Sequence, residues 1–224
     1  MKIKNEKKAL QMFCEEKGKA FDKPFINDKD NGRLLASDRK MMLLVKPELL
    51  QEAYDSGSQR LPNFEQGENS DIPITFANID NAFTKFKLIP EKISKDGQPK
   101  ECPECNGEGT VEYYYEADNG RTYYKEEDCP VCHGDGLRDD YELIETGRMV
   151  LPDQCYYQIK GVNFGAELIN RAVEALRLMG FDSMTLKEIH PKNGNKFFIC
   201  EGIELWIMPC IVLNYEKSQI VTLF

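Results

Sequence analysis

Apolar residues return every three or four positions between Phe164 and Met179. Leu168, Ile169, Ala172, Val173, Leu176 and Met179 fall on one face, with Glu167, Arg171, Glu174 and Arg177 opposite. That period predicts an amphipathic helix, and Gly180 is where it should stop. A weaker version of the pattern, Ile3, Leu10, Phe13 and Cys14 among lysines, predicts a helix over 3–17 ending near Gly18. Apolar runs predict strands at 33–37 and 41–45 around a turn at Asp38-Arg39-Lys40, and at 83–89, 141–150, 154–162 and 184–189. A hairpin of 197–200 with 203–208 turns at Glu201-Gly202, and 211–213 and 219–223 extend the β-structure. Residues 20–27 read as extended, 28–32 as a turn, and Pro47 opens a predicted helix over 47–54. Residues 55–73, rich in Gly, Ser, Asn and Gln, read as a long loop, and 92–100 as a polar linker.

The order helix, strand, strand, strand thus recurs on both sides of a segment of different character. The predicted class is α+β: two similar modules, 1–98 and 141–224, packing together, with 99–140 inserted between them. No apolar run approaches the roughly 20 residues of a membrane span, and the charged N-terminus lacks the apolar stretch of a signal peptide. Cys14, Cys155, Cys200 and Cys210 lie in apolar surroundings and read as core thiols, so a reducing cytoplasm is the expected location.

The inserted segment repeats one pattern. Cys102-Pro103-Glu104-Cys105-Asn106-Gly107-Glu108-Gly109 and Cys129-Pro130-Val131-Cys132-His133-Gly134-Asp135-Gly136 both read C-P-x-C-x-G-x-G, with 23 residues between Cys105 and Cys129. A Cys-x-x-Cys pair forms a tight knuckle that aims two sulfurs at one ion, and two knuckles complete a tetrahedral zinc site. Two disulfides or ordinary buried thiols are the alternative. The glycines suit backbone of positive φ close to the sulfurs. Between the knuckles, the β-prone runs Thr110–Glu116 and Arg121–Lys125 flank Asp118-Asn119-Gly120, and Asn-Gly signals a two-residue type I′ hairpin. His133 stands where the first octet has Asn106, so the repeat marks it as a neighbour of the metal and not a ligand.

Charge separates the segment further. Residues 100–140 hold 12 Asp/Glu against four Lys/Arg, so they carry −8 of the chain's −9. Such a hairpin is repelled by phosphates. A protein partner suits it, with Tyr113, Tyr114, Tyr115, Tyr123 and Tyr124 as candidate contacts, or as rings that pair across the hairpin. Glu126-Glu127-Asp128 reads as a solvated face. The two histidines, His133 and His190, form no recognisable triad, and no phosphate-binding or zinc-protease motif occurs. A four-cysteine zinc has no open position for water, so a non-enzyme is expected.

The octets resemble the cysteine-rich domain of the DnaJ co-chaperones, whose repeat is C-x-x-C-x-G-x-G. The resemblance covers 102–136 and implies one structural zinc on Cys102, Cys105, Cys129 and Cys132, where that family usually carries four octets and two zincs. The His-Pro-Asp tripeptide of a J-domain is absent, His190-Pro191 being followed by Lys192, so stimulation of an Hsp70 is not implied. A second resemblance covers 1–50 and 150–213. Asn31-Gly32-Arg33-Leu34-Leu35-Ala36-Ser37-Asp38 is similar to the G-x-L-x-A-T-D turn of bacterial DNA sliding clamps. Phe164-Gly165-Ala166-Glu167-Leu168 resembles their F-x-x-x-Y-L helix start, and Trp206-Ile207-Met208-Pro209 their y-x-M-P ending. This implies a clamp-like body and, by analogy, a place in DNA replication or repair. The chain departs from that family in size, since clamps close a ring from six domains and two modules make about one.

The expected function is a zinc-binding interaction protein whose clamp-like body presents an acidic hairpin to a protein partner. The alternative is a chaperone-type module that holds unfolded segments through the finger. A DNA contact would use Lys4, Lys7 and Lys8 on the first helix and Arg171 and Arg177 on the second, whose other reading is a solvated helix face.

Overall fold

The computed structural model describes residues 2–62, 67–94, 101–137, 143–212 and 214–223. The chain opens with α1 (Glu6–Gln11), β1 (Phe25–Asn27), β2 (Arg33–Ser37), β3 (Met41–Val45), β4 (Ser56–Gly57), β5 (Glu68–Thr75) and α2 (Phe76–Phe83). It continues through β6 (Ile89–Ser94), β7 (Thr110–Glu116), β8 (Thr122–Asp128) and β9 (Leu143–Val150). It ends with β10 (Cys155–Ile159), β11 (Val162–Gly165), α3 (Ala166–Met179), β12 (Ser183–Ile189), β13 (Asn195–Cys200), β14 (Ile203–Ile207) and β15 (Gln219–Thr222). Two compact units result, Met1–Lys87 with Leu151–Phe224, and Leu88–Val150. No helix among the described residues is long and apolar enough to cross a membrane.

In the first unit an eight-stranded sheet runs in the order β4-β1-β2-β3-β14-β13-β12-β5. The two halves of the chain join at the antiparallel β3–β14 ladder, with Leu43 opposite Leu205, and β5 from the first half closes the far edge against β12. All five residues of β3 are buried, because both faces of the sheet are covered there. On one face Leu34, Leu43, Phe197 and Leu205 share a core with Ile169, Ala172, Val173 and Leu176 of α3. On the other, Leu35, Met42 and Leu44, with Phe25 and Trp206 beside them in the sheet, pack against Phe21 and Leu61. This double cover is why the strand reads as an unbroken apolar run. A smaller sheet, β11-β10-β15, completes the unit. Helix α3 ends as its glycine predicts: Gly180, at φ 98°, donates to the Arg177 carbonyl, and Phe181 donates to that of Leu176.

Two carboxylates tie loops to helices. Glu6, buried in α1, accepts from the amides of Gln51 (2.7 Å) and Glu52 (3.2 Å) and from the Tyr54 hydroxyl (2.7 Å). Asp38 accepts from the amides of Lys40 and Met41 and is ion-paired with Arg171 of α3. The first tie explains a correction. The predicted helix over 47–54 is only a 3-10 turn, Pro47–Leu49, because the Glu6 carboxylate holds the following amides in extended chain.

Other expectations change for local reasons. The predicted 83–89 strand is replaced: Phe83 ends the missed helix α2, which is capped by the Thr75 hydroxyl and buries Phe76, Ile79 and Ala82, and strand structure begins only at Ile89 with β6. The 55–73 loop contains β4 and the start of β5, the 92–100 linker begins inside β6, and 95–100 lie outside the described residues. The 154–162 strand breaks into the β10–β11 hairpin at Lys160-Gly161, where both residues have positive φ as a type I′ turn requires. The first helix is one and a half turns, yet Ile3, Leu10, Phe13 and Cys14 are all buried as its pattern predicts. Of the remaining thiols Cys14 and Cys155 are core, whereas Cys200 and Cys210 are half-buried.

In the second unit β6 and β9 form a two-stranded ribbon, with Ile93 opposite Ile144, and β7 and β8 form a separate hairpin.

Removing the fully buried Leu205 side chain (Leu205→Ala) should cost about 2–5 kcal/mol. Glu6→Ala, which strands two amides, should cost about 1–3 kcal/mol. Urea unfolding followed by the single tryptophan, Trp206, measures both.

Candidate metal centre

The hairpin brings the two octets face to face. Thr110 stands opposite Asp128 and Glu116 opposite Thr122, so the ladder carries Cys105 and Cys129 to the same end. Below it an isolated bridge pairs Glu101 with Leu137. The octets then bond each other reciprocally: the Cys102 amide donates to the Gly136 carbonyl (2.9 Å) and the Cys129 amide to that of Gly109 (2.7 Å). The tip differs from the expected two-residue turn. Asn119 lacks positive φ; Gly120 alone has it (74°), donating to the Ala117 carbonyl, while Ala117 donates to Arg121. This is a three-residue loop with a left-handed glycine.

All four sulfurs of Cys102, Cys105, Cys129 and Cys132 lie within 4.8 Å of one another, in a cluster that could hold a metal ion. Sγ of Cys102 is 3.8 Å from that of Cys129, and Sγ of Cys105 is 3.7 Å from that of Cys132. A disulfide needs about 2.05 Å, and all eight cysteines are free. A tetrahedron of sulfurs about 2.3 Å from a central ion has edges of about 3.8 Å, so the two spacings suit that geometry. The surroundings support the same fit. The four cysteines are buried, and among the described residues the only other apolar residue packed on them is half-buried Val111. Such a core is too small to hold a hairpin by hydrophobic burial, and an ion would supply what it lacks.

The octet spacing has a steric and an electrostatic cause. Asn106 and His133 occupy equivalent left-handed positions, φ 50° and 52°. His133 is exposed and is no part of the cluster, so its role is that of Asn106, a turn residue. The glycines that follow one position later, Gly107 and Gly134, continue the turn with φ 85° and 92°. The last glycine of each octet is the tightest. A Cβ on Gly109 would collide with the Gly134 carbonyl oxygen, and one on Gly136 with that of Gly107. Both glycines also aim their amides at sulfur, Gly109 at Cys105 (3.3 Å) and Gly136 at Cys132 (3.2 Å). Burial alone would raise the Cys129 thiol, but the amides of Cys132 and Val131 outweigh it and bring it down to about 7. At Cys132 burial wins and holds the thiol at about 12. A cation entering the cluster therefore displaces protons.

The five tyrosines are all at least half exposed. Tyr114 stands opposite Tyr124, and Tyr115 is stacked on Tyr123 at 6.4 Å between ring centroids. The cations considered for DNA are partly engaged: Arg171 pairs with Asp38, Arg177 with Asp80 (2.6 Å) and Lys7 with Glu52 (3.0 Å), while Lys4 and Lys8 are exposed.

Gly136→Ala should weaken metal binding at least about tenfold, since the collision is with backbone and not with a yielding side chain. Gly120→Ala, whose added Cβ meets open space, should leave metal affinity unchanged and lower hairpin stability by about 1 kcal/mol. Competition with a chromophoric chelator measures both; equal affinities would contradict the steric assignment.

No protein family and no curated protein matches the chain. Solved structures do. The DNA polymerase III subunit beta from Pseudomonas aeruginosa is similar with 8% identity and a TM-score of 0.37, over 91% of this chain and 64% of that one. A DNA polymerase sliding clamp from the same organism, with ligand, is similar with 8% identity and a TM-score of 0.38, over 93% and 65%. Caulobacter crescentus pol III beta is similar with 10% identity and a TM-score of 0.33, over 80% and 54%. The chain spans less than two thirds of the length of each.

Proposed function

We propose that this chain is a non-enzymatic zinc-binding interaction protein, whose body carries the inserted segment 99–140 as a zinc-stapled acidic hairpin for a protein partner. One observation carries the reading: four buried sulfurs with almost no other core lie beneath a hairpin whose five tyrosines face solvent. Four thiolates in tetrahedral spacing select a soft ion without a geometric preference of its own, which is zinc. With four protein ligands such an ion has no position for water or substrate, so its role is structural. Exposed tyrosines supply the rigid, amphipathic area that protein interfaces favour.

A nucleic-acid role for the hairpin is opposed by its charge, and Arg171, Arg177 and Lys7 already have carboxylate partners. The three clamp-like motifs support a place in DNA replication or repair as a fold analogy alone. The exposed tyrosines also favour a second reading, a holdase for unfolded segments. Free thiols throughout suit a reducing cytoplasm.

Elemental analysis of protein purified without chelator should find one zinc per chain, released by a thiol-reactive mercurial; absence of metal with oxidised thiols would overturn the zinc site. Cys102→Ser should lose the zinc while the Trp206-reported urea transition of the body is unchanged. A variant with all five hairpin tyrosines replaced by serine should no longer capture protein from an extract of the source cells. If that variant captures as well as the parent, the hairpin is not the partner surface. Suppression of the aggregation of a reduced, denatured test protein by the zinc-loaded chain would favour the holdase.

A further inference from the structure

The hairpin's two faces differ in charge. Residues directly opposite in an antiparallel ladder share a face, and neighbours along a strand alternate. Val111, Tyr113 and Tyr115 of β7 therefore share a face with Glu127, Lys125 and Tyr123 of β8. Val111 packs on the cysteines, Lys125 is ion-paired with Glu127, and Tyr115 stacks on Tyr123. This face is neutral and internally satisfied.

The opposite face is built differently. Thr110, Glu112, Tyr114 and Glu116 lie against Asp128, Glu126, Tyr124 and Thr122. It carries four carboxylates and no base, and none of the four has a Lys or Arg partner among the described residues. Glu112 stands directly opposite Glu126, a like-charge pair that a sheet disfavours, and among the described residues its one relief is the Thr110 hydroxyl donating to Glu126 (2.7 Å). Between the carboxylates lie the two most exposed rings of the hairpin, Tyr114 at 75% and Tyr124 at 67%.

We infer that this face, Glu112, Tyr114 and Glu116 with Tyr124, Glu126 and Asp128, docks a Lys/Arg-rich segment of a partner protein. The inference rests on the protein-partner reading above and adds which face is used and the partner's chemistry. Charge complementarity selects the occupant. A cation entering between Glu112 and Glu126 removes their repulsion, and a guanidinium over either tyrosine gains the attraction of the ring face. Acidic and aromatic positions alternate at intervals of two along each strand, so an extended segment with basic residues at every second position matches them, at about 6.8 Å spacing. Phosphates are repelled by the same face.

Fluorescence anisotropy on the full-length zinc-loaded chain tests this with a labelled octapeptide bearing Arg at alternate positions and a counterpart with Gln in place of Arg. The basic peptide should bind, more weakly as salt rises, and the Gln peptide should not. Glu112→Gln with Glu126→Gln should weaken binding about tenfold, and Tyr114→Ala severalfold. Glu127→Gln, on the other face, should leave it unchanged, and the zinc content of each variant verifies an intact finger. Failure of the basic peptide to bind, salt-independent binding, or equal weakening by Glu127→Gln would overturn the proposal. Protein capture separates the two levels. Capture that survives Glu112→Gln with Glu126→Gln but is lost without the five tyrosines refutes the basic partner and keeps the partner surface. Capture that survives loss of the tyrosines refutes both.

Discussion

Four sulfurs must be held within a few ångströms of one another inside a segment whose described residues offer one half-buried valine to pack on them. Everything about the finger follows from that shortage of apolar material. The octets grip each other through reciprocal amide–carbonyl bonds, and each ends in a glycine whose missing side chain lets the other octet's carbonyl approach. The same two glycines turn their amides toward sulfur, where each could donate to a sulfur that holds a cation. The constraint is sterically mutual: Gly109 makes room for Gly134, and Gly136 for Gly107, so neither octet can close without the other. A metal that binds only the assembled form stabilises it by mass action.

The body solves the opposite problem. It has apolar surface in abundance and buries it on both sides of one sheet, where residues from the two ends of the chain meet along the β3–β14 ladder. Its polar groups serve as ties. Glu6 and Asp38 each gather two backbone amides and a further partner, so a single buried or half-buried carboxylate fixes a loop against a helix. Stability in this unit resides in distributed packing, and in the finger it is concentrated at one point.

That division has a functional reading. An element held together at its cysteine cluster need not bury its outer surface, so the hairpin can expose five tyrosines and a row of carboxylates with no Lys or Arg partner among the described residues. In a hydrophobically stabilised hairpin these residues would have been needed for the core. The neutral face carries the contact with the cysteines, leaving the acidic face available to a partner.

Much of this was legible in the chain before folding was considered. The helix over α3, the stop at Gly180, the β2–β3 and β13–β14 hairpins and the duplicated octets are local: periodicity, a left-handed glycine and short ligand spacing determine them with no reference to distant residues. The period-two placement of Glu112, Tyr114 and Glu116 was also in the sequence, but its meaning depended on the register that sets Glu126 opposite Glu112. Tertiary structure decided where long-range partners override local preference. The 47–54 segment gave up its helix because the Glu6 carboxylate claims its amides, and β5 became a strand because β12 offers it an edge. Helix α2 carries its own local signal, the Thr75 cap and the three-residue spacing of Phe76, Ile79 and Ala82, but it is short, and burial in the core is what distinguishes that spacing from chance. Local rules of spacing and turn chemistry thus determined the four-cysteine cluster, whereas the sheet order, the split charge of the hairpin and the short 3-10 turn required contacts between residues farther apart in the chain, whose energies no local pattern contains.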